Sequence, residues 1–182
     1  MTSSRREWIA ASLGSVTLAA IARAQEHAHQ MASGAAPVRL EFFDAETAAE
    51  VEAIASQILP SDDGPGAKEA GVVYFIDRAL TTFDSDMQEE YRNGLSEVEK
   101  VRKQMFPSSA SIAALSREQQ FELVRRIESS EFFEVVRVHT VLGFLGSPSY
   151  GGNRGKAGWN YIGFEDRMSF QPPFGYYDRE PQ

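Results

Sequence analysis

The chain has 182 residues, no cysteine and a formal net charge of −8, with 42% hydrophobic and 24% charged residues. The absence of cysteine excludes disulfides, thiolate nucleophiles, Cys-ligated zinc sites and Cys-ligated iron–sulfur clusters. The length fits one domain with its own core, and the acidic balance argues against nucleic acid as a partner, since nucleic acid attracts positively charged surfaces.

Residues 1–24 have the pattern of an export signal. Arg5 and Arg6 precede an apolar stretch rich in small residues, and an A-x-A cleavage site follows from Ala22 to Ala24. The adjacent arginines predict a bacterial twin-arginine signal, and therefore export of a folded protein to the periplasm. A cytosolic amphipathic helix with a chance pair of arginines is the alternative interpretation.

Residues 25–37 are rich in Ala, His and Gln and predict a flexible lead-in. His27 and His29 form an H-x-H pair within this segment. No carboxylate cluster lies nearby in the sequence, so the pair is more typical of a solvated stretch than of a metal site. We therefore predict no metal site in the chain.

Residues 38–145 predict an all-α domain of about five helices, because apolar residues recur there at helical spacing. Asp44, Asp86 and Ser116 are predicted helix caps, and Ser116 also begins a capping box. In the last helical segment the valines favour a strand, whereas Ser130 as a cap favours a helix. We expect a helix, since no partner strand is evident. The first, second and fifth predicted helices cover about 45–59, 67–83 and 132–145. The third follows the Asp86 cap and reaches about Met105, and the fourth follows Ser116.

Two predicted helices have distinct core faces. The second helix is expected to bury Val72, Phe75, Ile76, Ala79, Leu80 and Phe83, and the fourth to bury Phe121, Val124 and Ile127. A turn rich in Gly, Pro and Asp separates the first two helices. Its acids, Asp62 and Asp63, are more typical of turn residues than of a catalytic carboxylate pair.

Residues 146–182 differ in composition, with seven Gly, four Pro and eight aromatic residues. We predict an irregular segment that packs on the core, on a partner subunit or on both, because aromatic side chains dominate interface energetics. The turn from Gly64 to Gly71 is a second candidate contact patch. The candidate partner-contact residues are Tyr150, Trp159, Tyr161, Phe164, Phe170, Phe174, Tyr176 and Tyr177.

The sequence contains no dinucleotide fingerprint, P-loop, G-x-S-x-G elbow, H-E-x-x-H helix or EF-hand loop. We therefore predict no catalytic, cofactor-binding or metal-binding residue in this chain. Two residues keep a weaker functional interpretation. His139 is a general-base candidate, although a lone histidine is more often structural. Asp77 precedes Arg78 on a predicted helix, where an ion pair is the expected role.

Three stretches are distinctive when taken together. They are LPSDDGPGAKEAGVVYFID at 59–77, a segment at 132–144 containing Arg137-Val138-His139-Thr140, and PSYGGNR at 148–154 followed by Gly158-Trp159. Together they resemble the gluconate 2-dehydrogenase subunit 3 family, the small subunit of periplasmic, membrane-associated flavoprotein dehydrogenases of sugars and sugar acids. The stretches span most of the chain that follows the signal, and the third is the most specific.

The resemblance implies a non-catalytic subunit, since this family has no established catalytic residues to carry over. It implies an FAD-containing large subunit of the glucose–methanol–choline type as partner, with a multihaem cytochrome c in complexes that pass electrons to membrane quinone. The small subunit would escort the folded large subunit through the twin-arginine translocase and support its maturation. The expected location is the periplasm, with membrane association through the complex, and no cofactor is expected in this chain.

Two other function classes remain open from the residues alone. The chain could be a free-standing periplasmic enzyme, such as a sugar lactone hydrolase, that uses His139 with an acid such as Asp77. It could also be a periplasmic module that binds sugars by stacking them on its aromatic side chains.

Overall fold

The computed structural model describes residues 39–169 and Pro172. No helix among these residues is both long and apolar enough to cross a bilayer. Several residues singled out from the sequence lie outside the described range: Arg5, Arg6, Ala22, Ala24, His27, His29, Phe170, Phe174, Tyr176 and Tyr177.

The described part of the chain is built from α-helices without a β-strand, which confirms the all-α prediction. The segment whose valines favoured a strand is helical, and the Ser130 hydroxyl caps it by accepting a hydrogen bond from the Phe133 N–H. Short 3-10 turns occupy Ser85–Met87, Pro148–Tyr150 and Arg154–Lys156. The helices are α1 (Ala45–Ile58), α2 (Val72–Thr81), α3 (Gln88–Met105), α4 (Arg117–Ile127), α5 (Glu131–Leu145) and α6 (Ala157–Tyr161).

Besides Ser130, two of the three other predicted caps are confirmed. The Asp44 carboxylate accepts a hydrogen bond from the Thr47 N–H at 2.7 Å, and Ser116 forms a complete capping box with Gln119. The third is wrong, since Asp86 lies inside the 3-10 turn and α3 begins two residues later. The backbone is already turning at Asp86, so this residue lacks the extended conformation that an N-cap requires.

Helix α2 begins five residues later than predicted. Residues 67–70 form hydrogen-bonded turns instead, and Gly71 adopts a left-handed conformation with φ of 64° before the helix starts. Glycine tolerates this conformation because it has no Cβ. A Cβ at Gly71 would also collide with the side chain of Arg154, so two separate constraints favour glycine here.

The core forms where α2 lies against α5. Helix α1 packs on both of them, α3 packs on α5, and α4 packs on α1 and α3. Two predicted core residues are exposed instead, Phe83 by 53% and Phe121 by 52%. Phe83 follows the end of α2 and so leaves its buried face, while Phe121 points nearly opposite Leu123 around α4. The fully buried side chains include Val51, Ile54, Val72, Ile76, Leu80, Tyr91, Leu123 and Val136.

Candidate functional site

The glycine-rich loop at 146–158 lies directly on the backbone of α5. A Cβ on Gly152 would collide with the carbonyl oxygen of Gly143, and a Cβ on Gly158 would collide with that of Phe144. Such close approach of two backbones is open only to glycine. The segment predicted as irregular therefore packs on the core at this point, and it also contains a regular element, the short helix α6.

Asn153 fixes the shape of this loop from inside. Its side chain is fully buried, its Nδ2 donates to the carbonyl of Gly146 at 2.9 Å, and its Oδ1 accepts the Gly158 N–H at 2.9 Å. Its own N–H donates to the carbonyl of Gly143 at 2.8 Å. With φ of 45°, it occupies the left-handed region that Asn tolerates better than most residues. The sequence pattern PSYGGNR includes Asn153 but indicates no role for its side chain.

Arg154 connects the same loop to the turn before α2. Its N–H donates to the carbonyl of Ala70 at 3.0 Å, and its guanidinium lies 3.7 Å from the centre of the Tyr74 ring. The Nη2 atom is buried without a hydrogen-bond partner among the described residues, so the aromatic face is the group that compensates the buried charge. The two distinctive stretches at 59–77 and 148–154 thus meet at this residue.

Exposed aromatic side chains surround the loop. Phe83 packs edge-on against Tyr150, with ring centres 5.8 Å apart, and Trp159 packs against Phe164 at 5.0 Å. The ring of Tyr161 lies against Gly64, where any Cβ would collide with it. These five aromatic residues are named here the aromatic rim. Apart from the half-buried Trp159, their exposed fractions lie between 47% and 58%.

The rim brings together the two contact patches predicted from the sequence. Tyr161 belongs to the aromatic segment and Gly64 to the Gly64–Gly71 turn, and they are in direct contact. Of the eight aromatic candidates, Tyr150, Trp159, Tyr161 and Phe164 fall within the described residues, and all four belong to the rim. Phe83 was missed, because its spacing after α2 predicted a core position.

Helix α5 carries a second apolar surface, named here the α5 stripe. The stripe lies on the side of α5 opposite the buried Val136 and His139. Its members recur at helical spacing and are Val138, Val141, Leu142 and Leu145. Their exposed fractions lie between 37% and 47%. The Trp159 indole N–H donates to the carbonyl of Leu145 at 2.6 Å, so one end of the stripe adjoins the rim.

His139 lies inside the core, and both of its ring nitrogens have partners. Nδ1 is 2.9 Å from the Tyr91 hydroxyl, and Nε2 is 3.3 Å from Oδ2 of Asp84. Burial lowers the pKa of His139 against the opposing effect of Asp84, and it raises the pKa of Tyr91. The arrangement ties α5 to α3 and to the turn after α2, and leaves no ring nitrogen directed at a substrate.

Asp77 accepts hydrogen bonds from backbone N–H groups, and it forms no ion pair within residues 39–169. Its carboxylate is 4% exposed and accepts the N–H groups of Glu41, Phe42 and Phe43 at 2.8, 3.0 and 2.8 Å. It therefore fastens the segment before α1 onto α2. The acidic side chain next to His139 is Asp84. The structure therefore lacks the His139–Asp77 pair that the lactone hydrolase alternative requires.

The remaining titratable candidates have structural partners. Asp62 forms an ion pair with Arg117, as expected of a turn residue. A cleft of about 700 Å³ lies between α1, α3 and residues 110–113, and neither His139 nor Asp77 lines it. Glu50 in this cleft accepts the Ile112 N–H at 2.8 Å, and burial raises its pKa. Within residues 39–169, no group of three or more His, Asp or Glu side chains could hold a metal ion.

Comparison with known proteins identifies one family. The model of the family described as gluconate 2-dehydrogenase subunit 3 matches residues 45–166, which is more than half of the chain. No curated protein and no solved structure is a significant match. The matched range runs from the first residue of α1 to the chain just after Phe164, and so includes the loop, the rim and the α5 stripe.

Proposed function

Because the chain belongs to the gluconate 2-dehydrogenase subunit 3 family, we propose that it is the non-catalytic small subunit of a flavoprotein sugar or sugar-acid dehydrogenase complex. Its task is to bind the folded FAD-containing large subunit, to escort it through twin-arginine export and to support its stability. The family match supports the assignment of the chain to a dehydrogenase complex. The exposed aromatic rim supports its role in binding another subunit.

The position of the exposed apolar side chains favours a binding protein. Most of the strongly exposed large hydrophobic residues in the described range belong to α5 or to the segment after it, and Phe83 and Phe121 are the others. Exposed large apolar side chains concentrated in one part of a chain are typical of protein–protein interaction sites. The rim also rests on a loop held by backbone contacts, so its rings are positioned before binding and little ordering entropy is lost.

The rim supplies a substantial part of an interface. Four half-exposed rings, at about 150–250 Å² each, offer roughly 300–500 Å² for burial, against about 800 Å² per partner in a standard stable complex. An escort must remain bound throughout transport, so slow dissociation is required. Aromatic side chains packed at the centre of an interface are the groups that provide it.

The flavin and the chemistry are assigned to the large subunit in this proposal. The buried His139 and Asp77 hold the fold together, which supports a role without catalysis. A multihaem cytochrome c is the partner to which the complex would deliver electrons. In this proposal, the predicted twin-arginine signal at Arg5 and Arg6 directs the assembled complex to the periplasm, where it associates with the membrane as a complex.

The proposal is tested by co-expressing the chain with an FAD-containing large subunit from the same genome. Replacing Tyr161 and Phe164 by Ser should abolish co-purification of the large subunit and its periplasmic dehydrogenase activity. Phe121→Ser is the matched control, since it removes an equally exposed ring from α4, and it should leave both unchanged. Equal retention of the partner by the two variants would contradict the rim as the docking surface.

Two further measurements separate the alternatives. Replacing Arg5 and Arg6 by Lys should remove the large subunit from the periplasm, and unchanged periplasmic activity would overturn the escort role. Calorimetry of the isolated chain with free sugars should show no binding. A measurable heat of sugar binding would favour the sugar-binding module instead.

A further inference from the structure

The aromatic rim supplies too little apolar surface for a complex that lasts throughout transport. Permanent complexes bury about 2,000 Å² or more in total, which is about 1,000 Å² per partner, and about 65% of this surface is apolar. A lasting interface therefore needs about 650 Å² of apolar surface on this subunit, whereas the rim offers roughly 300–500 Å². The difference has to come from apolar surface next to the rim.

The α5 stripe provides apolar surface of the required size. Its four aliphatic side chains are between 37% and 47% exposed. At roughly 60–120 Å² for complete burial of a Val or Leu side chain, these fractions leave roughly 100–200 Å² to be buried. Rim and stripe together therefore offer roughly 400–700 Å², which reaches the apolar requirement of one lasting interface.

The stripe and the rim meet at Trp159. Its indole N–H donates to the carbonyl of Leu145, the last residue of the stripe, at 2.6 Å. The Trp159 ring also lies 5.0 Å from the ring of Phe164, measured between centres. Because these contacts link the two surfaces through one side chain, a single partner can cover both.

The distribution of charge around the stripe is that of an interface centre with a polar border. Residues 138–153 contain no Asp, Glu, Lys or Arg, although 24% of the whole chain is charged. Ion pairs flank this uncharged segment, Glu134 with Arg137 on one side and Lys156 with Asp166 on the other. Depletion of charge at the centre and a polar periphery are typical of protein–protein interfaces.

The net charge of the chain argues against two other occupants of the stripe. At a formal charge of −8, a second copy of the chain is repelled, and so is the negatively charged surface of an anionic bilayer. A different protein with an uncharged apolar face meets neither obstacle. The partner in the proposed function is such a protein.

We propose that the aromatic rim and the α5 stripe form one continuous docking surface, and that the FAD-containing large subunit covers both. The face of that subunit opposite Val138, Val141, Leu142 and Leu145 is apolar, and its polar groups lie opposite the two flanking ion pairs. The inference rests on the proposed function and adds to it a second contact region, on a different helix from the rim.

The absence of cysteine allows the stripe to be probed directly in the complex. The full chain carrying Leu142→Cys is co-expressed with the large subunit, and alkylation of the introduced thiol is followed by peptide mass spectrometry. The thiol should react at least about tenfold more slowly in the complex than in the isolated chain, because thiol reactivity depends on access. Glu97→Cys, on the exposed face of α3, is the matched control and should react at the same rate in both. Equal rates for Leu142→Cys in complex and isolated chain would overturn the proposal.

A charge on the stripe tests its contribution to affinity. Leu142→Glu should raise the dissociation constant of the large subunit at least about tenfold, because the carboxylate loses water without gaining a partner. Phe121→Glu places the same charge at a similarly exposed position of α4 and should leave the dissociation constant unchanged. Circular dichroism of the isolated variants checks that both keep the fold. An unchanged dissociation constant in a folded Leu142→Glu variant would contradict the proposal.

Two other outcomes would identify a different occupant and overturn the proposal. Protection of the Leu142→Cys thiol in the isolated chain that rises with protein concentration would show that a second copy covers the stripe. Protection that appears only with vesicles of phosphatidylcholine and phosphatidylglycerol would show that a bilayer covers it.

Failure of this inference is distinguishable from failure of the proposed function. If the large subunit co-purifies with the unsubstituted chain while the Leu142→Cys thiol stays equally reactive, the stripe lies outside the interface and the proposed function stands. If the large subunit does not co-purify with the unsubstituted chain, both proposals are overturned.

Discussion

The Asp77 carboxylate is expected to be the main attachment of the segment before α1. It receives three N–H groups, of which the Phe43 N–H is buried. In Asp77→Ala, the buried N–H loses its partner at a cost of about 1–3 kcal/mol, while water can replace the partner of the two less buried groups at about 0.5–1 kcal/mol each. The expected loss of unfolding free energy is therefore about 3 kcal/mol, or a fall in Tm of about 6–12 °C.

The assay is urea denaturation combined with hydrogen exchange of the backbone amides. The amides of residues 41–43 should exchange much faster in Asp77→Ala, because their acceptor is gone. Asp77→Asn should lose less, since its remaining oxygen can still accept the Phe42 and Phe43 N–H groups. Arg78→Ala, at an exposed neighbouring position on α2, is the control and should change little. A loss below about 1 kcal/mol in Asp77→Ala, or unchanged exchange at 41–43, would refute the reasoning.

Three further predictions concern the loop and the buried histidine. Asn153→Ala removes two hydrogen bonds of a fully buried side chain at a left-handed position. It should lower the free energy of unfolding, measured by urea denaturation, by about 3 kcal/mol. A loss below about 1 kcal/mol would contradict the role of this side chain. Gly152→Ala places a methyl group against a carbonyl oxygen and should cost about 3 kcal/mol or more. Gly155→Ala should cost only about 1 kcal/mol, because its Cβ would meet nothing within 4 Å and only its φ of 60° disfavours alanine. Equal costs would be inconsistent with the close backbone approach. Burial lowers the pKa of His139 below its ordinary value of 6.5, so the folded state binds the proton less readily than the unfolded state. The free energy of unfolding should therefore fall as the pH drops below about 6.5. His139→Phe should flatten this dependence between pH 7 and pH 5, and an unchanged slope would exclude His139 as its source.

Local signals in the sequence predicted most of the helices, because caps and apolar spacing act over a few neighbouring residues. Asp44 and Ser116 are caps in the structure as predicted, and the periodicity of α1, α3 and α5 gave their approximate bounds. The start of α2 could not be predicted in the same way. Gly71 interrupts an apolar pattern that continues on both sides of it. The Arg154 side chain, which leaves no space for a Cβ at Gly71, is 83 positions away in the chain.

The candidate site depends even more on long-range contacts. Composition predicted the aromatic segment and the glycine-rich turn as two separate candidate contact patches. The contact between Tyr161 and Gly64 arises only when the chain folds. Phe83 was assigned to the core because α2 was predicted to extend through it. The α5 stripe was also missed, since an amphipathic pattern predicts one apolar face, whereas α5 is apolar on two opposite sides.

The hydrogen bond from Arg154 to Ala70 has a consequence for the order of folding during synthesis. Ala70 belongs to the turn that precedes α2 and leaves the ribosome early, whereas Arg154 and Gly158 are among the last parts of the domain to emerge. The contacts that close the domain are therefore of high contact order, and they form late. Until the glycine-rich loop is synthesised, the part of α5 that it covers stays accessible to solvent. The nascent subunit therefore exposes apolar surface that favours aggregation for longer than its early helices alone would require.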